Sequence, residues 1–465
     1  MKRLVIIGLF VCIAGLAHAQ NPEVPIVLDT TIQVPQVFDI GGSGARARGM
    51  GSAYIAAGDD AAALTFNPAG LFSIDKTSLT FGMDQFTSRG DVSFLGLKTP
   101  QSGSYSGLGF FSFVSPFRVK GHGFVFGLSY GRSSDEASNN AIDLIFPIDP
   151  DGIQPFLDTT DLYLSVRRKY HAQFTPVTLG AGTRLSSKVS AGLSIAFING
   201  KSVDNLQQQN VASDWFVLEK YPQPVDYIFQ GALIDTSKYS GVSFSLGFKY
   251  TQDKLALGAV LKLPYTLRQT TNRTLRATTY VNGLLYPNAS GVIFRDGNVI
   301  DIDIPFTIGF GGAYKPDTAT TLAADFEYRP FSGKYIDVRD SLRLVPGAKD
   351  QEYFHTEDPG WRNAVVIRAG AERYFATNST MFPLVPLRAG VGIMPIPRPN
   401  RTNGQPSGTA TALNLSLGSG IHWSLLHLDA AYTFRSLNQT DASDVGTTET
   451  NGKSHLLYLT FTGYF

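Results

Sequence analysis

The chain is short of cysteine, of net charge and of long apolar runs, and each shortage excludes a class of protein. Its single cysteine is Cys12. A chain without the segment around Cys12 has no disulfide, no thiolate metal site and no thiol nucleophile. The 39 Lys and Arg nearly balance 38 Asp and Glu, for a formal net charge of +1, where a nucleic-acid binder would carry a basic surplus. Beyond the first residues no run of about eighteen apolar residues occurs, so no transmembrane helix is expected. A zinc-hydrolase motif is missing too: there is no His-Glu-x-x-His pattern. His422, His427 and His455 are nominal partners for a wall serine in a lipase-like site, a reading that is not favoured. The stretch DPDG at Asp149–Gly152 lacks the remaining oxygen ligands of a calcium loop and reads as a turn. No enzyme, no metal and no cofactor is expected.

What is present begins with MKRLVIIGLFVCIAGLAHA, in which Lys2 and Arg3 precede an apolar core that ends at Ala17-His18-Ala19. Residues 1–19 therefore read as a cleaved export signal. Cys12 has no small residues just before it of the kind lipid attachment needs, so no lipid anchor is expected. Residues 20–40 form a Pro-containing, extended N-terminal extension.

With 47 Gly, 32 Phe and 20 Tyr but only 17% charged residues, the rest of the chain suits strands better than helices. From about residue 77 onward the dominant period is two. In GVSFSLGFKYT, Val242, Phe244, Leu246, Phe248 and Tyr250 share one face, and Ser243, Ser245, Gly247, Lys249 and Thr251 share the other. TLAADFEYR and HLDAAYTFR repeat the pattern, with Asp325, Glu327, Arg329, Asp429 and Arg435 opposite an apolar row. A soluble β-sandwich also alternates, but its turns are mixed in length, whereas membrane barrels alternate short and long connections. Tight links fall near Arg118–Gly121, Ser186–Lys188, Gln252–Lys254, Lys315–Thr318, Ala376–Thr380 and Trp423–Ser424. Between them lie polar stretches expected to be long external loops: Ser133–Tyr170, Lys201–Tyr239, Thr271–Ile300, Ser332–Arg362, Pro395–Ser407 and Leu437–Asn451. With Ser78 to Leu97 taken as one bent strand and a short loop at Thr99–Ser104, the count is about fourteen strands, an even number that puts both barrel ends on one side. The final strand, LLYLTFTGYF, alternates and stops on Phe465, as a barrel-assembly signal does; Gly463 stands where an apolar residue is usual. The expected fold is thus all-β, a membrane-spanning antiparallel barrel over residues 77–465.

A barrel of this size has a lumen wider than its own wall side chains fill, so it is an aqueous pore or it is plugged. Residues 41–76, including GGSGARARGMGSAYIAAGDDAAALTFNPAGL, are the natural hatch. The glycines look at first like a phosphate loop, but the β context argues against that. Ser52 to Leu64 is expected to be a short helix, its alanines allowing close packing, and Asn67-Pro68-Ala69-Gly70 a turn that stops it.

This stretch, with its Gly-rich lead, the Asp59-Asp60 pair and the Asn67-Pro68-Ala69 motif, resembles the hatch signature of the FadL family of outer-membrane transporters. FSLGFKYTQDKLALGAVLKLP, IPFTIGFGGAYKPDTATTLAADFEYRPFS, RAGAERYF and PLRAGVGIMPIP resemble its strand-turn-strand units. The resemblance implies a fourteen-stranded barrel in the outer membrane of a Gram-negative bacterium. It also implies a lumenal hatch, passive uptake of hydrophobic molecules such as long-chain fatty acids, and release through an opening in the wall. The segment 20–40 ahead of the Gly-rich lead departs from the family pattern. GMGSAYIA also resembles PorV-like barrels, a related branch that serves protein secretion and surface attachment.

An amphiphile with a carboxylate head needs a cation beside its path, since an unpaired carboxylate in a low-dielectric cavity is costly. Lumen-facing candidates are Arg46 and Arg48 in the hatch and Lys249, Lys262, Arg368 and Arg388 in the wall; lumenal Asp325, Glu327, Glu372 and Asp429 compete for them. Asp59 and Asp60 either pair with wall cations or hydrogen-bond the hatch turn. Asn67, Pro68, Ala69 and Gly70 complete the expected hatch or gating set. AIDLIFPI (Ala141–Ile148) and DWFVLEKYP (Asp214–Pro222) suit an apolar entrance groove or a protein-docking patch. Expected partners are hydrophobic small molecules, outer-membrane lipid and lipopolysaccharide, and the barrel-assembly machinery during biogenesis, with no nucleic acid and with a monomer favoured.

Overall fold

The computed structural model describes residues 43–94, 97–148, 160–215, 225–287, 290–342, 351–402, 405–443 and 446–465. The leader, the N-terminal extension, the DPDG turn and most of DWFVLEKYP lie outside the described residues. AIDLIFPI lies on a strand.

The chain closes into a 14-strand antiparallel barrel. The first two staves are β1 (Ser78–Phe94) and β2 (Leu97–Val119). The third is β3 (His122–Gly131) continued by β4 (Ser133–Ile148), and the fourth is β5 (Thr160–Phe174) continued by β6 (Val177–Arg184). The long β7 (Val189–Trp215) and β8 (Val225–Gln252) follow, then β9 (Leu255–Lys262) with β10 (Tyr265–Val281). A two-residue β11 (Leu284–Leu285) folds back on the end of β10. The eighth to tenth staves are also broken: β12 (Gly291–Ile304) with β13 (Thr307–Tyr314), β14 (Thr320–Arg329) with β15 (Ile336–Leu342), and β16 (Gln351–Glu357) with β17 (Ala364–Ala376). The last four run unbroken: β18 (Leu384–Thr402), β19 (Gln405–His422), β20 (Leu426–Ser443) and β21 (Gly446–Tyr464). Closure comes from β1 on β21, in register from Ser78↔Tyr464 to Phe94↔Thr448.

Alternation decides the faces as the sequence pattern predicts. Phe244, Leu246 and Phe248 of β8 and Leu457, Leu459 and Phe461 of β21 stand exposed on the outside, while Asp325, Glu327 and Asp429 are buried within. An apolar band of this extent is at odds with water, at about 25 cal/mol per Å² of apolar surface, and suits a lipid surround. Tight turns at Lys120-Gly121 and after Gln252 use left-handed backbone, with φ of +49° and +85° at the first and +50° at Asp253.

Two expectations of the sequence reading change. The stretches assigned to long external loops are mostly strand: β4, β5, β7, β8, β10, β12, β15, β16 and β18 to β21 run into them. Thr99–Ser104 likewise lies inside β2, and the first connection falls between Phe94 and Leu97. Beyond the apolar band both faces of a strand meet polar surroundings. The period-two contrast then fades although the backbone ladder continues.

Five of the six broken staves are interrupted at or beside a proline: Pro176, Pro264, Pro305, Pro330 and Pro359. Proline has no N–H for the ladder, so it weakens the pairing where it falls, and at these five positions the stave is interrupted. Above this level on the lumen side sits an apolar cluster that includes Phe174, Tyr239, Leu267, Ile300, Phe331 and Trp361. Below it sits the hatch.

Candidate functional site

The hatch is one strap of chain folded against the inner wall. Its first helix, Ala45–Gly49, is one turn long and ends where Gly51 adopts φ +63°, with the Ser52 N–H donating to Ala47 O at 2.9 Å. The second, Ala63–Phe66, stops at Asn67, whose extended backbone precedes Pro68. Residues 52–62, expected to be helical, are instead a run of turns. Their backbone groups bond to the wall: Asp325 Oδ2 accepts the N–H groups of Tyr54 and Ile55 at 2.5 and 2.9 Å. Bonds of that kind outweigh the helical preference of the alanines.

Wall glycines make the close approach possible. A β-carbon at Gly192 would overlap the Pro68-Ala69 backbone, and one at Gly390 would overlap Met50 and Gly51. Gly192 lies opposite Gly247 in register and Gly390 opposite Gly370, so the smooth patches run from strand to strand. Asn67, fully buried, ties hatch to wall: its Nδ2 donates to Ile55 O at 2.9 Å and Phe248 O at 3.0 Å, while its Oδ1 accepts the Ala69 N–H at 3.1 Å. Lys249 Nζ donates to Gly58 O at 2.8 Å and to Ser73 Oγ at 3.3 Å. Ser190 Oγ donates to Ala69 O at 3.0 Å.

Charge supplies the other fastening. Arg46 grips Glu372 with two parallel bonds, Nε to Oε1 at 2.9 Å and Nη2 to Oε2 at 2.8 Å, and pairs through Nη1 with Asp59. Glu372 also accepts from Arg388 Nε at 2.7 Å. Arg388 continues to Asp429 at 2.6 Å, which bonds His422 Nε2 at 2.9 Å. Asp59 therefore pairs inside the hatch with Arg46, while Asp60 accepts from the Tyr54 hydroxyl at 2.7 Å and the Ala62 N–H at 2.9 Å. Desolvation within the lumen acts to raise both hatch carboxyls. Arg46 outweighs it at Asp59, whose pKa falls below the usual carboxylate value; at Asp60 desolvation wins and the pKa rises.

A chamber lies directly on the hatch, at the height of the stave breaks. Its free volume is about 90 Å³. Leu64, Thr65, Phe66, Arg48 and Ser52 of the hatch form one side, and Ile198, Tyr265, Ile304 and Phe331 line the side that meets the apolar cluster. The lining carries four cations, Arg48, Lys262, Arg329 and Arg368, and one carboxylate, Glu327, to which Arg329 and Arg368 donate at 2.7 and 2.5 Å. Serine and threonine hydroxyls from Thr178, Ser194, Ser243, Ser245 and Thr307 complete it. Such a site can hold an anionic head with its apolar end directed into the cluster. The six cations singled out from sequence thus separate. Arg48, Lys262 and Arg368 line the chamber, Arg46 and Lys249 bind the hatch to the wall, and Arg388 bridges the wall carboxylates Glu372 and Asp429, the first of which Arg46 also grips. Sequence parity places Arg329 on the lumen face but not among the candidate cations, and the roles of the wall glycines and the stave-breaking prolines escaped the sequence reading. The signal for the prolines was their position inside otherwise alternating segments.

The arrangement defines a class: a closed, lipid-facing barrel of fourteen strands with its lumen stopped by an N-terminal hatch. No protein-family profile matches the chain, and no curated protein matches it in sequence. Solved structures do. A FadL homologue of Pseudomonas aeruginosa aligns over 91% of this chain and 98% of its own, with a TM-score of 0.58 and 14% identity. The toluene transporter TodX of P. putida aligns over 92% and 99%, with a TM-score of 0.59 and 16% identity. The toluene transporter TbuX of Ralstonia pickettii aligns over 92% and 100%, with a TM-score of 0.57 and 16% identity. The chain has the fold of the FadL-type barrels.

Proposed function

We propose that the protein is a passive transporter in the outer membrane of a Gram-negative bacterium, admitting hydrophobic small molecules without ATP or cofactor and performing no chemistry on them. Long-chain fatty acids are the ligand class that the chamber suits best. The observation that carries this reading is the chamber itself, in which four cations, one carboxylate and a hydroxyl belt gather on and beside the hatch while aromatic and aliphatic side chains close the opposite end. A carboxylate held there meets cationic partners in a water-poor site, where such pairing is strongest. A purely aromatic hydrocarbon of the kind named for TodX gains nothing from that charge.

The test is a titration of detergent-purified protein with a dansyl-labelled long-chain fatty acid, with toluene and unlabelled fatty acid as competitors. Saturable binding displaced by the fatty acid supports the reading. Displacement by toluene alone moves the ligand class to uncharged hydrocarbons. No small ligand, with a stoichiometric protein partner surviving purification, favours the PorV-like secretion role instead. Lipopolysaccharide contact and a monomeric state are part of the proposal.

A further inference from the structure

The outward face of β7 and β8 grades from apolar to cationic in successive cross-strand pairs. Rising away from the end of the barrel that carries Ser78 and Tyr464, Phe197 faces Val242, then Asn199 faces Ser240, then Lys201 faces Lys238. All six are exposed. Phe197 and Val242 form the upper rim of the apolar band here, so the lysines stand four residues higher, about 10 Å along the barrel axis at the usual strand tilt. In a barrel whose termini lie in the periplasm, that height is the headgroup layer of the outer leaflet.

Two lysines directly opposite each other on one face repel, and their surroundings offer no relief. Their neighbours on that face are Gln173, Val203, Thr236 and Thr270, none of them acidic. Among the described residues neither lysine forms an ion pair. Asp301, farther round the wall, is engaged by Arg268 through two bonds at 2.8 and 2.9 Å.

Beneath the lysines a groove of about 390 Å³ lies open on the lipid side. It starts at Asn199 and Ser240, runs over Phe197, Val242 and Thr266, and ends at the Arg268–Asp301 pair. Its cause is local: Pro264 has no N–H to donate, no ladder pair joins Gly241–Ser243 to Pro264–Leu267, and the outer surface dips there. With a methylene taken as about the size of a water, roughly 30 Å³, the groove has room for on the order of ten, the upper length of one acyl chain.

Cations without counter-charge above an apolar slot match a lipid that bears phosphate on its head and hydrocarbon below. We infer that this face holds one outer-leaflet lipid of the lipopolysaccharide type, with a phosphate of its lipid anchor between Lys201 and Lys238 and one acyl chain in the groove. The site rests on the lipopolysaccharide contact proposed above and gives it a place; it asks nothing of the lumen. A phosphate between the lysines replaces their repulsion by two charge-assisted bonds, and Asn199 and Ser240 supply donors where head meets chain. A second facing pair of cations, Arg89 and Lys453, stands exposed at similar height on β1 and β21. It has Asp91 two residues away on the same face, paired with Lys98 at 3.0 Å, and the groove does not reach it.

The test is a titration of the detergent-purified barrel with diphosphoryl lipid A, read by native mass spectrometry, with phosphatidylglycerol as the second probe. The parent is expected to bind one lipid A in preference to phosphatidylglycerol. The Lys201→Gln, Lys238→Gln double variant should bind it about thirtyfold more weakly, since each cation at an anionic membrane surface counts for about fivefold. Thr266→Trp fills the groove and should weaken binding about tenfold by crowding the chain. The Arg89→Gln, Lys453→Gln double variant should stay within about twofold of the parent. Heat-modifiability gels show that each variant folds, and loss of two facing like charges should not lower the unfolding temperature. Equal losses in the two double variants would reduce the effect to diffuse surface charge and overturn the site, and equal affinity of the parent for phosphatidylglycerol would overturn the lipid assigned to it. Lipid A bound by the parent but indifferent to the lysine and groove changes overturns the site while leaving the lipopolysaccharide contact standing. A parent that binds no lipid A overturns that contact and the site with it; the uptake reading is tested apart, by the dansyl titration.

Discussion

Replacing Asn67 with alanine should loosen the hatch without unfolding the barrel. Three hydrogen bonds go at once. Phe248 sits on a strand paired on both sides, so its carbonyl loses only a supplementary bond. Ile55 O and the Ala69 N–H lie in residues buried to within 1% and lose the bonds that tie them to the side chain. A buried backbone group left unpaired costs about 1–3 kcal/mol, so the hatch turn loses about 2–6 kcal/mol. The lower bound alone corresponds to about a thirtyfold loss of hydrogen-exchange protection. The assay is native-state exchange in detergent, comparing residues 54–73 with the wall strands as an internal standard. Asn67→Asp keeps an acceptor for Ala69 but turns a carboxylate toward two carbonyls, and should be no better than alanine. Asn67→Ser, which retains a short acceptor, should be intermediate. Hatch protection within about threefold of the parent in Asn67→Ala would refute the assignment of Asn67 as the tie between hatch and wall.

Other perturbations test separate parts. Gly390→Val places a side chain where Met50 and Gly51 lie, so the barrel should form while the hatch seats badly, read as a rise in planar-bilayer conductance over the nearly closed parent. Arg132→Ala leaves Asp84 buried without its partner, and should cost about 3–5 kcal/mol, seen as a lower unfolding temperature in heat-modifiability gels. Lys262→Gln and Arg368→Gln remove chamber cations and should each weaken fatty-acid binding about tenfold, with toluene binding unchanged. Arg388→Gln, which acts on the hatch network through Glu372, should alter conductance more than affinity.

Much of the barrel was legible because lipid outside and polar lumen inside impose opposite demands on alternate residues, as at Phe248 and Lys249 or Phe326 and Glu327. Where both faces are wet that contrast vanishes. Lys201–Tyr239 therefore read as loop although β7 and β8 pair from Lys201↔Lys238 to Ala212↔Tyr227 within it. The hatch was legible as a plug but not in its path. Its alanines promise a helix, and only the wall, with Asp325 waiting for two N–H groups, reveals why the chain unwinds. Cations could be assigned to the lumen by parity, yet parity does not tell Lys262 in the chamber from Lys249 under the hatch. That distinction depends on height along the barrel, which Pro176, Pro264 and Pro305 mark in hindsight.

Native mass spectrometry of the detergent-purified barrel, followed by titration with the dansyl fatty acid, shows whether the barrel holds a small amphiphile. One small amphiphile per barrel is expected, displaced by added fatty acid and lost in the Lys262→Gln, Arg368→Gln double variant. A barrel that carries no small ligand and binds none, but passes a large steady current in planar bilayers, would contradict the uptake reading.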